Sequence, residues 1–194
     1  EQAAAVAAEA YAQHTNRIGV CLTTSGPGAT NAITGITAGW IDSTPMFVIS
    51  GQAKRSDLIG ETGVRQIGSQ EVQIIDMVRP ITKYAVQVME PAEIRYHMER
   101  AYYEATNGRP GPVWLSIPLD VQAAMVEPEK LEGYVPETPA KPDLTETITK
   151  TVRLLQQAKK PVILAGNGIK LADATEDLDR KSTRLNSSHM NLSR

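Results

Sequence analysis

The apolar positions change their period several times along the chain. Residues 1–13 are Ala-rich with helical spacing, and residues 18–23 are a short apolar, β-branched run that predicts a strand. A turn of Gly26, Pro27 and Gly28 follows. Residues 29–41 then place small and apolar side chains at helical spacing, with Gly35 and Gly39 permitting close packing on a sheet, and residues 45–49 predict the next strand. Strand, tight turn, helix, strand is the βαβ unit of a parallel sheet, whose ligands collect at the C-terminal strand ends. The Gly-Pro-Gly turn falls at such an end.

Further along, residues 71–78 predict a short helix, residues 81–88 a strand, and residues 91–106 a helix with Ile94, Met98, Ala101, Tyr102 and Ala105 on one stripe. Residues 113–117 predict the strand that closes the sheet. The expected fold class is α/β: a parallel sheet flanked by helices over residues 1–126. Residues 127–143 are rich in Pro, Glu and Lys and read as a linker. Beyond it, residues 145–158 form an amphipathic pattern with Ile148, Val152 and Leu155 aligned, and residues 161–165 a buried strand ending at Gly166-Asn167-Gly168. Residues 144–178 are thus expected to open a second α/β domain.

The last stretch is set apart. Residues 179–189 read Asp-Arg-Lys-Ser-Thr-Arg-Leu-Asn-Ser-Ser-His, one reading frame of a widely used short-read sequencing adapter. Residues 179–194 are therefore expected to carry neither packed structure nor function.

Composition narrows the function classes. The net charge is −2, the basic residues are scattered, and one Phe, two Trp and six Tyr leave little for base stacking, so no nucleic-acid partner is expected. No apolar run is long enough to span a membrane, and no membrane partner is expected. Cys21 is the single cysteine and lies in an apolar run, which predicts a buried thiol. His14 and His97 read as helix-end and helix-surface residues, so no metal site is expected in these residues. A cytoplasmic location is the default, with an organellar transit peptide ahead of residue 1 left open.

The turn at residues 24–31, Thr24-Ser25-Gly26-Pro27-Gly28-Ala29-Thr30-Asn31, carries the most chemistry. Two residues without Cβ flank one of fixed φ, which brings rigid, bare backbone close to a flat ligand. The G-x-G-x-x-G of a dinucleotide turn is not present, because the residue three after Gly28 is Asn31, which leaves a nucleotide-binding Rossmann-like module as a distant third reading.

This block resembles the cofactor-contacting turn of thiamine diphosphate enzymes of the acetohydroxyacid synthase group, in their pyrimidine-binding, flavodoxin-like domain. The resemblance runs in order through Glu1-Gln2-Ala3-Ala4, Asp42-Ser43-Thr44-Pro45, Ile49-Ser50-Gly51-Gln52, Gln70-Glu71-Val72, Arg79-Pro80-Ile81-Thr82-Lys83, Gly108-Arg109-Pro110-Gly111-Pro112-Val113 and Ile117-Pro118-Leu119-Asp120-Val121. It implies that the first elements of the domain precede residue 1. It also implies that Glu1 is the catalytic glutamate, which holds pyrimidine N1′ so that the cofactor's own amino group can remove the thiazolium C2 proton. Gly26, Pro27, Gly28 and Asn31 match the family's cofactor contacts, Gln70 an active-site glutamine, and Lys83 a lysine that approaches the substrate. Arg109 reads as structural.

Ser69 stands where the family has Phe and Gln73 where it usually has Asp, which points to a larger or more polar acceptor. The implied cofactors are thiamine diphosphate and Mg²⁺, the latter on a separate domain whose Gly-Asp-Gly motif does not occur here; FAD is an optional third. The implied partners are a 2-keto acid, a second copy in a homodimer or tetramer with interfacial sites, and an optional regulatory subunit. Pyruvate oxidase, glyoxylate carboligase, a sugar-biosynthetic lyase and a non-catalytic domain of the same fold remain the alternatives to acetolactate synthase-like carboligation.

Overall fold

The structure, a computed structural model, describes residues 1–137 and 142–184. The chain divides into two compact units, Glu1–Pro136 and Glu137–Arg194. The boundary falls inside the expected linker.

The first unit runs α1 (Gln2–Thr15), β1 (Gly19–Thr23), α2 (Pro27–Asp42), β2 (Met46–Gln52), α3 (Ile74–Val78), β3 (Tyr84–Gln87), α4 (Ile94–Thr106), β4 (Pro112–Pro118) and a short α5 (Leu119–Gln122). The four strands form one sheet in the order β1-β2-β4-β3, and every pairing is parallel. Alternate residues of β2 divide the core: Met46 and Val48 face α1, α2 and α3 together with Cys21 and Trp114, while Phe47 faces α4 and α5 together with Val113 and Leu115. Helices thus cover both faces, as the apolar patterns predict. Cys21 is buried, and burial pushes its thiol pKa up.

Close approach between α1 and α2 rests on small residues. Ala5, Ala8 and Ala12 are the buried positions of α1, and a Cβ on Gly35 would lie 2.8 Å from that of Ala5. Trp114, fully buried at the centre of the sheet, donates its indole N–H to Ser50 Oγ at 2.9 Å. That bond satisfies the one polar atom a buried Trp carries.

Three expectations are corrected. First, β4 does not close the sheet but lies between β2 and β3. Nearly all of Pro112–Pro118 is buried, as a strand covered on both faces requires, whereas every residue of β3 is half-exposed and suits the edge. Second, the segments at residues 71–78, 81–88 and 91–106 begin later than periodicity suggests. Residues 71–73 belong to the loop before α3, and tight 3-10 turns at Arg79–Ile81 and Pro91–Glu93, each containing a proline, precede β3 and α4.

Third, the second unit has no strand among its described residues. It consists of α6 (Thr145–Gln157), α7 (Gly168–Leu171) and α8 (Thr175–Arg184). Residues 161–165 are irregular, with Val162 and Leu164 more than 90 % exposed. A strand needs ladder partners for its N–H and C=O groups, and the described residues of this unit offer none. The expected stripe of Ile148, Val152 and Leu155 forms on α6 but is likewise exposed. α8 extends through residue 184 into the stretch expected to be unstructured; residues 185–194 lie outside the described residues.

Candidate active site at the C-terminal end of the sheet

The turn that follows β1 folds back at once into α2. Gly26 adopts φ 56° and ψ −119°, a conformation hostile to any residue with a Cβ, and Pro27 takes the first helical position, where its missing N–H costs nothing. Gly28 N–H donates to Ser25 O and Thr30 N–H to Gly26 O, closing the turn. Gly26 and Gly28 are buried while Pro27 and Asn31 stay exposed.

Glu1 comes to this turn through the packing of α1 beside α2. Its carboxylate accepts a 3.3 Å hydrogen bond from Asn31 Nδ2, and a Cβ placed on Gly28 would lie 3.3 Å from Glu1 Oε1. Gln70 arrives from the other side. A Cβ on Gly26 would stand 2.1 Å from the Gln70 carbonyl oxygen, so the Gln70 backbone lies directly on the turn. Gln70 itself is held at φ 56°, the left-handed region, with its side chain on the exposed surface. Six of the seven residues singled out in the sequence, Glu1, Gly26, Pro27, Gly28, Asn31 and Gln70, thereby meet in one place.

Lys83 does not join them. It precedes β3, so it sits at the N-terminal end of the sheet, roughly 20 Å of strand away from the turn. There its Nζ donates to Asn107 O at 2.7 Å, its backbone N–H donates to Pro112 O, and its side chain packs against Gly111. Desolvation by burial pushes its pKa down. Arg109 does the structural work expected of it, donating from Nε to Ser43 Oγ at 2.6 Å at the end of α2.

Two arrangements near the site were not singled out by the sequence. Arg55, after β2, donates from its backbone N and its Nε to the two oxygens of Asp120, at 3.0 and 2.7 Å, and from Nη1 to Met89 O at 2.9 Å. It thereby ties together the segments leaving β2, β3 and β4, and its backbone and side-chain hydrogen bonds hold the Asp120 carboxyl below the usual range. Glu71, next to Gln70, is buried and accepts hydrogen bonds from three backbone N–H groups, those of Ile59, Ile67 and Gly68. An acid flanked by Gly68, Ser69 and polar Gln70 is the only sequence signal of such a hub, and it is indistinguishable from a solvated loop charge.

These features define a class: a parallel α/β domain whose rigid glycine-proline turn, at a strand's C-terminal end, is set against an acid. Residues 1–77 match the family described as thiamine pyrophosphate enzyme, N-terminal TPP binding domain. The chain is similar over nearly its whole length to acetolactate synthases. A probable acetolactate synthase large subunit from Methanocaldococcus jannaschii is 40 % identical over 93 % of this chain and 30 % of its own length. The acetolactate synthase large subunit of Corynebacterium glutamicum is 42 % identical over 92 % of this chain and 28 % of its own. The chloroplastic acetolactate synthase 1 of Zea mays is 38 % identical over 93 % and 28 %. The chain spans less than a third of the length of these relatives.

Proposed function

We propose that this domain holds the aminopyrimidine of thiamine diphosphate within a 2-keto acid decarboxylase and carboligase of the acetolactate synthase kind. The observation that carries the proposal is the meeting of Glu1, Asn31 and the Gly26-Pro27-Gly28 turn on one surface. Such a ring needs bare backbone against it and an acid at its ring nitrogen, and the residues fit both needs. Gly26 and Gly28 have no space for a Cβ, Pro27 is exposed and rigid, and the Glu1 carboxylate is exposed with Asn31 fixing its orientation.

When bound, thiamine diphosphate supplies the electron sink for loss of carbon dioxide from a 2-keto acid. The chain's own part is narrower. Glu1 holds a proton at pyrimidine N1′, Asn31 keeps the carboxylate aimed, and Gln70 faces the substrate from the opposite wall of the turn. Lys83, held at the far end of the sheet, has no part in this proposal. Ser69 in place of an aromatic residue leaves space for a larger or more polar acceptor carbonyl.

The diphosphate and Mg²⁺ belong, on this proposal, to a separate domain of a second copy, so the working assembly is a dimer or tetramer with its sites between subunits. FAD and a regulatory subunit are admitted by the same proposal, and the expected location is cytoplasmic or organellar. The test is carbon dioxide release from pyruvate by the full-length protein. Release that requires added thiamine diphosphate is expected; a full-length protein that binds none in calorimetry rejects the proposal.

A further inference from the structure

Glu71 is a buried carboxylate, 7 % exposed, and no ion pair among the described residues includes it. Its partners are backbone donors. Oε1 accepts from Ile59 N at 2.6 Å, and Oε2 accepts from Gly68 N at 3.2 Å and Ile67 N at 3.3 Å. Residues 59–68 lie in neither a helix nor a strand, so these amides have no ladder to join. One side chain therefore gathers both ends of a ten-residue loop.

The same residue is covalently next to Gln70, whose backbone lies against the Gly26 turn. Gln70 is a non-glycine residue at φ 56°, and its carbonyl presses on Gly26. Such a conformation persists only where the surroundings hold it. On its other side, Val72 O accepts a 2.9 Å bond from the Nε2 of buried Gln52 on β2. The turn through Gln70 is thus clamped from the sheet by Gln52 and from the loop by Glu71.

We infer that Glu71 is a positioning residue: its carboxylate fixes residues 59–68 and so holds the Gln70 turn against Gly26, keeping the Gln70 side chain on the surface shared with Glu1 and Asn31. The inference rests on the proposal that Gln70 serves the thiamine diphosphate site. Only a carboxylate does this. Glutamine has the same shape but replaces one acceptor by an NH₂ donor, which would face backbone N–H groups. Aspartate keeps both acceptors and falls one methylene short.

The test uses two readouts. In this chain, Glu71→Gln is expected to speed amide exchange at Ile59, Ile67 and Gly68 by about tenfold or more, with exchange in β1, β2 and β4 unchanged. In the full-length protein the same variant is expected to lower kcat about 10- to 100-fold, the scale of a small misplacement of a substrate-facing group, while the Kd for thiamine diphosphate moves less than about threefold. Glu71→Asp should recover part of both losses, and it carries the test if Glu71→Gln fails to fold. Faster loop exchange with unaltered kcat overturns the inference, as does unaltered exchange. A control separates the two levels: Gln70→Ala with normal kcat overturns the role proposed for Gln70, and with it this inference, whereas a slow Gln70→Ala beside a normal Glu71→Gln overturns this inference alone.

Discussion

Asn31 Nδ2 reaches the Glu1 carboxylate at 3.3 Å, linking the start of α1 to the first turns of α2 across thirty residues of sequence. The bond leaves Glu1 exposed and oriented, which a helix-start acid does not need and a proton-holding group does. In the full-length protein, Glu1→Gln is therefore expected to keep most of the thiamine diphosphate affinity and to slow hydrogen–deuterium exchange at C2 of the bound cofactor by roughly 10² to 10⁴, the range of general acid–base contributions. Equal exchange rates in the two proteins would reduce Glu1 to a helix terminus.

The Gly26 turn predicts a contrast between two glycines. Gly63 has φ 75° with nothing within 4 Å of an added Cβ, so Gly63→Ala bears only the left-handed backbone penalty, about 1 kcal/mol. At Gly26, whose φ 56° and ψ −119° suit glycine alone, the backbone penalty is at least as large, and the new Cβ would also have to displace the Gln70 carbonyl, 2.1 Å from where it is placed. Urea unfolding should show Gly26→Ala less stable than Gly63→Ala by at least about 1 kcal/mol, with turnover lost in the former only. Equal midpoints would mean that the Gln70 turn is not seated on Gly26.

How far the sequence reveals this site depends on the kind of information each residue carries. The helices and strands of the first unit follow from apolar periodicity, and the turn at residues 24–31 follows from the stereochemistry of Gly and Pro. Strand order does not: nothing local tells β4 to insert between β2 and β3, although its apolar run, interrupted only at Ser116, agrees with a central place. Lys83 shows a related gap. Its motif suggests a substrate contact, yet in a parallel sheet a residue that precedes its strand stands at the end opposite the ligands. Residues 161–165 have the composition of a strand, but pairing is a property of neighbours rather than of composition. Glu71 is hidden for the converse reason, since its partners are backbone groups that no side-chain pattern announces.

The Arg55–Asp120 pair makes stability depend on pH. Hydrogen bonds from the Arg55 backbone and side chain lower the Asp120 pKa below its ordinary 3.8. A group whose folded pKa is depressed contributes stability in full above its unfolded value and loses it as the pH falls through the folded one. The gap in urea midpoint between the parent chain and Asp120→Asn should hold steady from pH 8 to about pH 5 and narrow below about pH 4. Both side chains are about one-third exposed, so added salt should narrow it as well. A gap that persists unchanged at pH 3 would show that the aspartate acts through shape rather than charge.

Trp114 and Ser50 offer the cleanest stability test, because both are fully buried and joined by one 2.9 Å bond. Ser50→Ala removes the acceptor and little volume, leaving the indole N–H in an apolar layer with Val48 and Cys21. An unpaired buried donor costs about 1–3 kcal/mol, more than the bond itself contributes. Urea titration followed by Trp fluorescence should show a lower midpoint with an unchanged slope, since the surface exposed on unfolding stays the same. Ser50→Thr keeps the hydroxyl and isolates the cost of one added methyl in a close-packed layer. If Ser50→Ala unfolds at the same urea concentration as the parent chain, the indole has found another acceptor, and the Ser50 hydroxyl does not hold Trp114 in the sheet.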